Sequence, residues 1–255
     1  MKDQRKHFMA TPSTPIIQAG TGVAKITNVA LALSAMKQIM AATPQMPRMA
    51  VLSGPPGYGK TQAAAYMAHP MGMNACFVQL RPFETMKSLA QLLLTELDVR
   101  WKSHWPVGTM FDTICERLQM MNRPLVIDEL DHIAEKTAVD FLRAIHDKCA
   151  TPIFMIGEER LQAKLLTRHE RFHDRVLVWV NAMPADETDA RLLAQHYAPD
   201  LKWADGTLAG LVAKTHGVAR RITTEVERLK EDARRHGVDT VTIDMVGTAV
   251  KGGRR

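Results

Sequence analysis

The clearest chemical pattern in this sequence lies between Val51 and Thr61. A short apolar segment is followed there by GPPGYGKT, which has the spacing G-x-x-x-x-G-K-[ST] of a phosphate-binding loop. Because glycine has no side chain, the N–H groups of such a loop can turn inward around an anion, and the dipole of the following helix favours negative charge. The sequence therefore predicts that eight residues bind ATP: Gly54, Pro55, Pro56, Gly57, Tyr58, Gly59, Lys60 and Thr61.

A second chemical pattern is the segment PLVIDE, which ends at Asp128 and Glu129. Such a short, continuous apolar run fits a strand buried on both faces of a parallel sheet, and carboxylates at its carboxyl end face the ligand crevice. We expect Thr61 and Asp128 to bind Mg²⁺, and Lys60 to contact the β- and γ-phosphates of ATP. Glu129 is then placed to polarise the attacking water.

A competing pattern is H-E-x-x-H, which His169 to His173 spell and which is typical of zinc proteases. A zinc site of that kind needs a helix with a persistent apolar face and a third ligand. The surrounding segment KLLTRHERFHDRV is largely charged, and the conceivable third ligands, Asp186 and Glu187, follow a predicted strand. The sequence therefore favours Mg²⁺ at the phosphate-binding loop as the only metal.

Strand and helix patterns alternate as far as residue 182, and helical patterns follow. Strands are predicted over residues 49–52, 75–80, 124–129, 152–156 and 175–180. Helices are predicted over residues 27–42, 63–67, 84–97, 109–121, 139–148, 161–166, 185–196, 205–215 and 218–236. This order predicts a three-layer αβα domain with a mostly parallel sheet, followed by a small all-helical domain. We divide the chain into an N-terminal arm (1–24), a nucleotide-binding domain (25–182) and a helical domain with a basic tail (183–255).

The composition is that of an ordinary globular protein, with 46% hydrophobic and 24% charged residues. No apolar run approaches the roughly 18 residues that span a bilayer, and no signal peptide is evident, so we expect a cytoplasmic protein without a membrane partner. Cys76, Cys115 and Cys149 lie among apolar residues, which predicts buried, reduced thiols. The net charge of +6 is compatible with nucleic-acid binding but does not require it.

Taken together, these motifs resemble those of AAA+ ATPases, and within them the transposition ATPases of the MuB, TniB and TnsC type. The matching segments are GPPGYGKT, LVIDE, PIFMIGEERL, the pair Arg171-Phe172 before a strand with Trp179, and HGVARRI. The resemblance extends over about residues 25–245, and it implies a P-loop domain with a helical lid at its C-terminal side.

The resemblance also implies roles for two arginines. Arg171 is the best candidate for an arginine finger that reaches the ATP of a neighbouring subunit, with Arg168 and Arg175 as competitors. Arg220 in HGVARRI matches the sensor 2 arginine of the lid, with Arg221 as the alternative. At the sensor 1 position, where the family often has Asn or Thr, this chain has Gly-Glu-Glu at 157–159, which leaves the rate of hydrolysis open.

DNA contacts are expected in the loop RWKSHW at 100–105, which combines cations with aromatic residues. In the filament-forming relatives, basic residues on loops before this Asp-Glu strand face a central channel and follow the DNA backbone. Phosphate contacts of this kind position a protein without reading the base sequence. Arg100 and Lys102 are the first candidates, followed by Arg81 and Lys87.

The resemblance thus implies an ATPase that assembles on double-stranded DNA as a ring or helical filament. It would select target DNA and deliver it to a transposase, and hydrolysis would drive disassembly. Two alternatives stay open: a helicase loader resembling DnaC, which would act on single strands, and a regulatory scaffold that binds ATP to assemble but hydrolyses little.

Overall fold

The computed structural model describes residues 22–43, 45–70, 72–134, 137–168 and 170–247. Most of the proposed N-terminal arm and the basic C-terminal tail therefore lie outside the described residues. In the described part of the chain, no helix is both long enough and apolar enough to span a membrane.

The main sheet has five parallel strands in the order β2-β3-β4-β1-β5. These strands are β1 (Met49–Ser53), β2 (Cys76–Gln79), β3 (Leu125–Asp128), β4 (Ile153–Gly157) and β5 (Val176–Asn181). The helices of this region are α1 (Thr27–Ala41), α2 (Lys60–Ala68), α3 (Met86–Glu96), α4 (Val107–Met121), α5 (Ala138–Cys149), α6 (Leu161–Arg168) and the single turn α7 (Glu170–His173). From β1 the chain crosses to β2 at one edge of the sheet and then returns strand by strand to β4, which lies beside β1. Ligands of open α/β sheets bind at such a reversal of the strand order.

Both faces of the sheet are buried, as the continuous apolar runs predict. Along β1, Ala50 and Leu52 belong to one core cluster, which includes residues of α1 and α2. Met49 and Val51 point to the opposite face and belong to a second cluster, which includes residues of α3, α4, α5 and α6. The alternation of successive side chains therefore builds the predicted three layers.

Between residues 182 and 247, the structure contains four helices and a small pair of parallel strands. The elements of this region are α8 (Glu187–Tyr197), β6 (Lys202–Trp203), α9 (Thr207–Thr215), α10 (Ala219–His236), β7 (Thr240–Val241) and α11 (Ile243–Gly247). The predicted all-helical domain is therefore wrong, since this region also contains the strands β6 and β7. Strands of two residues are too short to produce an alternating sequence pattern, so the sequence did not reveal them. Apolar residues of α8, α9 and α10 join the same cluster as α1 and α2.

The cysteines differ in burial. The expectation of buried thiols is confirmed for Cys76 and Cys115, whereas Cys149, the last residue of α5, is only half-buried. Burial raises the pKa of the Cys76 thiol to about 11, so this thiol stays protonated at neutral pH.

Candidate functional site

The phosphate-binding loop connects β1 to α2 and depends on glycine at two positions. Gly57 and Gly59 both have φ of +83°, a left-handed conformation that glycine adopts without steric cost. A Cβ on Gly57 would lie 2.8 Å from Val218 Cγ1, and one on Gly59 would lie 2.7 Å from Ile26 Cδ1. The loop is therefore packed tightly between the chain before α1 and the chain before α10.

Lys60 is the first residue of α2, and its side chain folds back over the loop. Its ammonium group donates hydrogen bonds to the carbonyls of Gly54 (2.6 Å) and Pro55 (2.8 Å). Burial lowers the pKa of Lys60, and four nearby carboxylates oppose that shift: Asp128, Glu129, Asp131 and Glu158. A cation at a helix N-terminus interacts unfavourably with the helix dipole. A bound anion would interact favourably with both the dipole and the Lys60 ammonium, so this position is suited to anion binding.

Asp128 ends β3 and is 2% exposed. Its Oδ1 accepts a hydrogen bond from the Glu129 N–H at 2.9 Å. Burial raises the pKa of Asp128, and both this hydrogen bond and the nearby Thr61 side chain oppose the shift. Its Oδ2 is buried without a hydrogen-bond partner within the described residues. A buried carboxylate oxygen in this state is suited to a metal ligand or a metal-bound water.

Glu129 follows β3 in a left-handed backbone conformation, with φ of +60°. That conformation costs a residue with a Cβ about 1–2 kcal/mol, and such strain concentrates at functional sites. The Glu129 side chain is 39% exposed, and its Oε2 lies 4.0 Å from His132 Nε2. The carboxylate therefore reaches solvent in the cleft, as a group that orients a water molecule must.

The turn between β4 and α6 contributes a contact that sequence patterns did not reveal. Asp131, whose side chain is 7% exposed, accepts a hydrogen bond from the backbone N–H of Glu158. A Cβ on Gly157 would overlap Asp131 Oδ2 and would lie 2.6 Å from Leu161 Cδ2. Asp131 thus holds the end of β4 against the end of β3, and Glu158, one of the three residues predicted at the sensor 1 position, lines the cleft.

The C-terminal helices supply the remaining wall of the cleft. The backbone N–H of Arg220, in the first turn of α10, donates to the Gly57 carbonyl at 3.0 Å. The Arg220 side chain lines the cleft together with Thr223 and Thr224, two residues that no sequence motif had singled out. Arg221 is exposed and is not among the residues that line the cleft.

These residues enclose a cleft of about 310 Å³, at the lower end of the range for small-molecule sites. Two cations, Lys60 and Arg220, face three carboxylates, which belong to Asp128, Glu129 and Glu158. The glycine cradle, the unpartnered Asp128 oxygen and the mixed charges fit a nucleoside triphosphate with Mg²⁺. The structure thus brings the predicted loop, the Asp-Glu pair and Arg220 together around one cleft.

The three candidate arginine fingers are in different situations. The Arg171 side chain, on α7, is exposed. Arg175 forms an ion pair with Asp147 of α5, with 3.0 Å between Nε and Oδ1. The side chain of Arg168 lies outside the described residues. A finger that acts on a neighbouring subunit stays a prediction, and Arg171 is the candidate whose side chain is exposed to reach one.

The first candidates for DNA contact lie between α3 and α4. Arg100 and Lys102 are exposed. The two tryptophans of this loop are half-buried and pack against the adjacent core, and Trp101 Nε1 donates to Thr95 Oγ1 at 3.0 Å. These tryptophans therefore support the loop, and its exposed cations are the groups able to meet phosphates.

The second pair of candidates lies beyond β2. The Leu80 N–H donates to the Asp128 carbonyl at 3.0 Å, so the segment with Arg81 and Lys87 begins beside the end of β3. Arg81 Nε lies 2.7 Å from Glu84 Oε1, and its guanidinium lies 5.3 Å from the centroid of the exposed Phe83 ring. Arg81 is thus already engaged within its own loop, whereas Lys87 is exposed in the first turn of α3.

The competing zinc pattern is only partly visible. His169 lies outside the described residues, as does the Glu170 side chain, while the His173 ring stacks on Trp179 with centroids 5.3 Å apart. Among residues that the structure describes, no group of three or more His, Cys, Asp or Glu side chains is placed to bind a metal ion.

Comparison with known proteins identifies the class of the fold. Residues 45–165 match the family model of the AAA domain. The ORC2 protein of Aeropyrum pernix in its ADP form has a TM-score of 0.63 at 15% identity, covering 88% of this chain and 67% of that one. The Aeropyrum pernix ORC1 protein in complex with DNA has a TM-score of 0.60 at 18% identity, covering 87% and 63%.

A third similar structure is the Thermotoga maritima RuvB Holliday junction branch migration motor, with a TM-score of 0.56 at 16% identity. It aligns with 86% of this chain and 66% of its own. No curated protein sequence matches this chain significantly. The match over residues 45–165 and these structures show that the chain has the P-loop AAA+ fold, which confirms the predicted fold class. At these identities, the structural likeness establishes the fold alone.

Proposed function

We propose that this protein is an AAA+ ATPase that hydrolyses ATP in the cleft beside the phosphate-binding loop. The observation that carries this proposal is the contact between the loop and the end of β3. There the Thr61 side chain lies near the Asp128 carboxylate, whose Oδ2 is buried without a hydrogen-bond partner in the described part of the chain. A P-loop hydroxyl and a buried carboxylate in contact are the pair that binds Mg²⁺ in P-loop ATPases.

Five residues that line the cleft then have distinct roles. Lys60, which now bonds two loop carbonyls, would bind phosphate oxygens instead, and Thr61 and Asp128 would hold Mg²⁺. When bound, Mg²⁺ would neutralise negative charge on the phosphate oxygens during hydrolysis. Glu129 orients the attacking water, and Arg220 brings a second cation to the phosphates from α10.

For the biological role, we propose ATP-dependent assembly on double-stranded DNA and delivery of target DNA to a transposase, as in the MuB, TniB and TnsC type. The motifs of that type are the support, together with a net charge of +6 and the exposed cations of the α3–α4 loop. The Aeropyrum pernix ORC1 protein, whose fold is similar, has been solved in complex with DNA.

DNA binding is expected to be cooperative, indifferent to base sequence and dependent on ATP. Each subunit of a polymer repeats the same weak phosphate contacts, so affinity sums along the filament and falls steeply with salt. The double substitution Arg100→Ala and Lys102→Ala should weaken binding and reduce the salt slope by about 2 per subunit. The measurement is a titration of single- and double-stranded oligonucleotides at several salt concentrations, with and without a non-hydrolysable ATP analogue.

A matched control removes the same charge elsewhere. Lys37 and Arg234 are exposed on α1 and α10, and replacing both by alanine should leave the salt slope unchanged. A clear preference for single strands would favour the helicase-loader alternative. Binding that ignores ATP would contradict the proposed role in target selection.

A second candidate function is a regulatory scaffold that assembles on ATP but hydrolyses little. The specific observation in its favour is that Glu158, a carboxylate within the Gly-Glu-Glu segment predicted at the sensor 1 position, lines the cleft. A carboxylate there repels the charge that develops on the phosphates during transfer, which slows hydrolysis. ATP-driven assembly that proceeds equally well without DNA, with negligible turnover, would support this alternative.

If Arg171 completes the site of a neighbouring subunit, the rate of ATP turnover per subunit should rise with protein concentration. Arg171→Ala and Glu129→Gln subunits should each be nearly inactive alone, yet a mixture should regain part of the parental turnover. Regain is expected because some interfaces of the mixed assembly pair an intact arginine with an intact glutamate. Steady-state phosphate release at several mixing ratios is the measurement, with Arg221→Ala in place of Arg171→Ala as the control. A fully active Arg171→Ala variant would remove the finger role.

A further inference from the structure

Asn28, in the first turn of α1, is a buried polar residue, 2% exposed, with three long-range hydrogen bonds. Its Nδ2 donates to the carbonyl of Tyr58 at 2.8 Å and to that of Met183 at 2.7 Å. Its Oδ1 accepts from the Met183 N–H at 2.8 Å. One side chain therefore joins α1 to the tip of the phosphate-binding loop and to the connection between β5 and α8.

The neighbouring residue extends this connection to the first C-terminal helix. The backbone N–H and the hydroxyl of Thr27 both donate to Asp189 Oδ1 of α8, at 2.7 Å and 3.0 Å. Asp189 is itself 2% exposed, so this carboxylate is buried in the junction. Two consecutive residues of α1 thus bind the loop, the β5–α8 connection and α8.

The bond to Tyr58 has a consequence for the loop itself. The Tyr58 carbonyl and the Gly59 N–H belong to the same planar, trans peptide and point in opposite directions. Because Asn28 holds the carbonyl, the Gly59 N–H is directed away from α1, and Gly59 lines the cleft. Asn28 therefore keeps one amide of the loop oriented for an anion.

We propose that Asn28 is a positioning residue, which orients the phosphate-binding loop for nucleotide and couples the loop to the C-terminal helices. This inference rests on the proposed binding of nucleotide, but not on DNA binding or transposition. A nucleotide that shifts the loop tip shifts the Tyr58 carbonyl, and Asn28 transmits this shift to Met183. The connection to α8 moves with it, so nucleotide binding changes how tightly α8 and α10 close over the cleft.

The test replaces Asn28 with Asp, which keeps the size of the side chain but removes both N–H donors. The ionised carboxylate would face the carbonyls of Tyr58 and Met183, so we expect ADP affinity to fall about 10- to 100-fold. We also expect ADP at saturation to protect the amides of residues 219–224 from hydrogen exchange in the parental protein, but not in Asn28→Asp. Both measurements are made well below the unfolding temperature of each variant.

Two controls separate positioning from general destabilisation. Asn74→Asp makes the same chemical change at an exposed residue before β2 and should behave like the parental protein. Ile114→Ala, at a buried core position within α4, lowers stability without touching the loop and should keep ADP affinity. Should Asn28→Asp not fold, Asn28→Ser keeps one hydroxyl donor, and a smaller loss of both affinity and protection is expected.

The outcomes assign failure to one proposal or the other. If the parental protein binds no ADP, both the proposed ATPase and this inference are wrong. If it binds ADP and a folded Asn28 variant binds equally well, only the inference is wrong. Lost affinity with unchanged protection of residues 219–224, or an equal loss in Ile114→Ala, would overturn it as well.

Discussion

Replacing Glu129 with Gln is expected to reduce ATP turnover about 100-fold or more while ATP binding persists. The substitution keeps the side-chain length and the left-handed backbone but removes the negative charge that polarises the attacking water, and general-base catalysis typically contributes 10²–10⁴-fold. The Glu129 side chain is 39% exposed, and its only ion-pair neighbour in the described residues is His132 at 4.0 Å, so its loss leaves no buried charge uncompensated. Steady-state phosphate release and equilibrium binding of ATP measure the two effects separately.

The control for this prediction is Glu159→Gln, which makes the same change at an exposed residue that does not line the cleft. This variant should hydrolyse ATP at the parental rate. If Glu129→Gln also turned over at the parental rate, the assignment of Asp128 and Glu129 to the catalytic strand end would be wrong. Thermal unfolding should differ little between the two variants, because neither glutamate contributes a buried contact.

The second large effect is expected from Lys60→Ala, which should weaken ADP and ATP binding about 100-fold or more. The Lys60 ammonium lies within the loop that is proposed to bind the phosphates. Truncating one partner of a buried charged hydrogen bond typically costs 2–5 kcal/mol of binding free energy. Among the residues that the structure describes, the hydrogen-bond partners of Lys60 are two loop carbonyls, at 2.6 Å and 2.8 Å. Isothermal titration calorimetry with ADP and with a non-hydrolysable ATP analogue is the measurement.

The fold should tolerate this change. Removing a desolvated cation from the N-terminus of α2 relieves an unfavourable interaction with the helix dipole, so the unfolding temperature should stay the same or rise. Lys25→Ala is the matched control, because Lys25 is exposed and lies 5.3 Å from the Tyr66 ring on the neighbouring α2. Nucleotide affinity in Lys25→Ala should remain parental. Parental affinity in Lys60→Ala as well would exclude this loop as the phosphate site.

The sequence by itself determined the elements that carry the chemistry. The helix predicted over residues 27–42 is observed as Thr27–Ala41, and the strand predicted over 152–156 is observed as Ile153–Gly157. Helices and buried strands are recognised from the spacing of the side chains that face the core. This spacing repeats within a few residues, so a short segment of sequence is enough to predict the element. The spacing of GPPGYGKT is equally local, because it describes one loop and the helix that follows it.

Elements without a repeating pattern were not predictable in this way. The strands β6 and β7 contain two residues each, and α7 is a single turn. Trp101 and Trp105 flank the cations proposed to contact DNA, and both pack against the core beside α3 and α4. The surroundings of both tryptophans depend on how α3 and α4 pack against each other, which a short segment of sequence does not specify.

The tertiary structure alone decided how the site is assembled. The strand order places β4 between β1 and β3, so Glu158 enters the cleft and Asp131 holds its backbone. Asn28 looks like an ordinary polar residue in a first helical turn, but it bonds Met183 across a separation of 155 positions. Such contacts depend on topology and on the burial of polar groups that must find partners, which local sequence patterns do not encode.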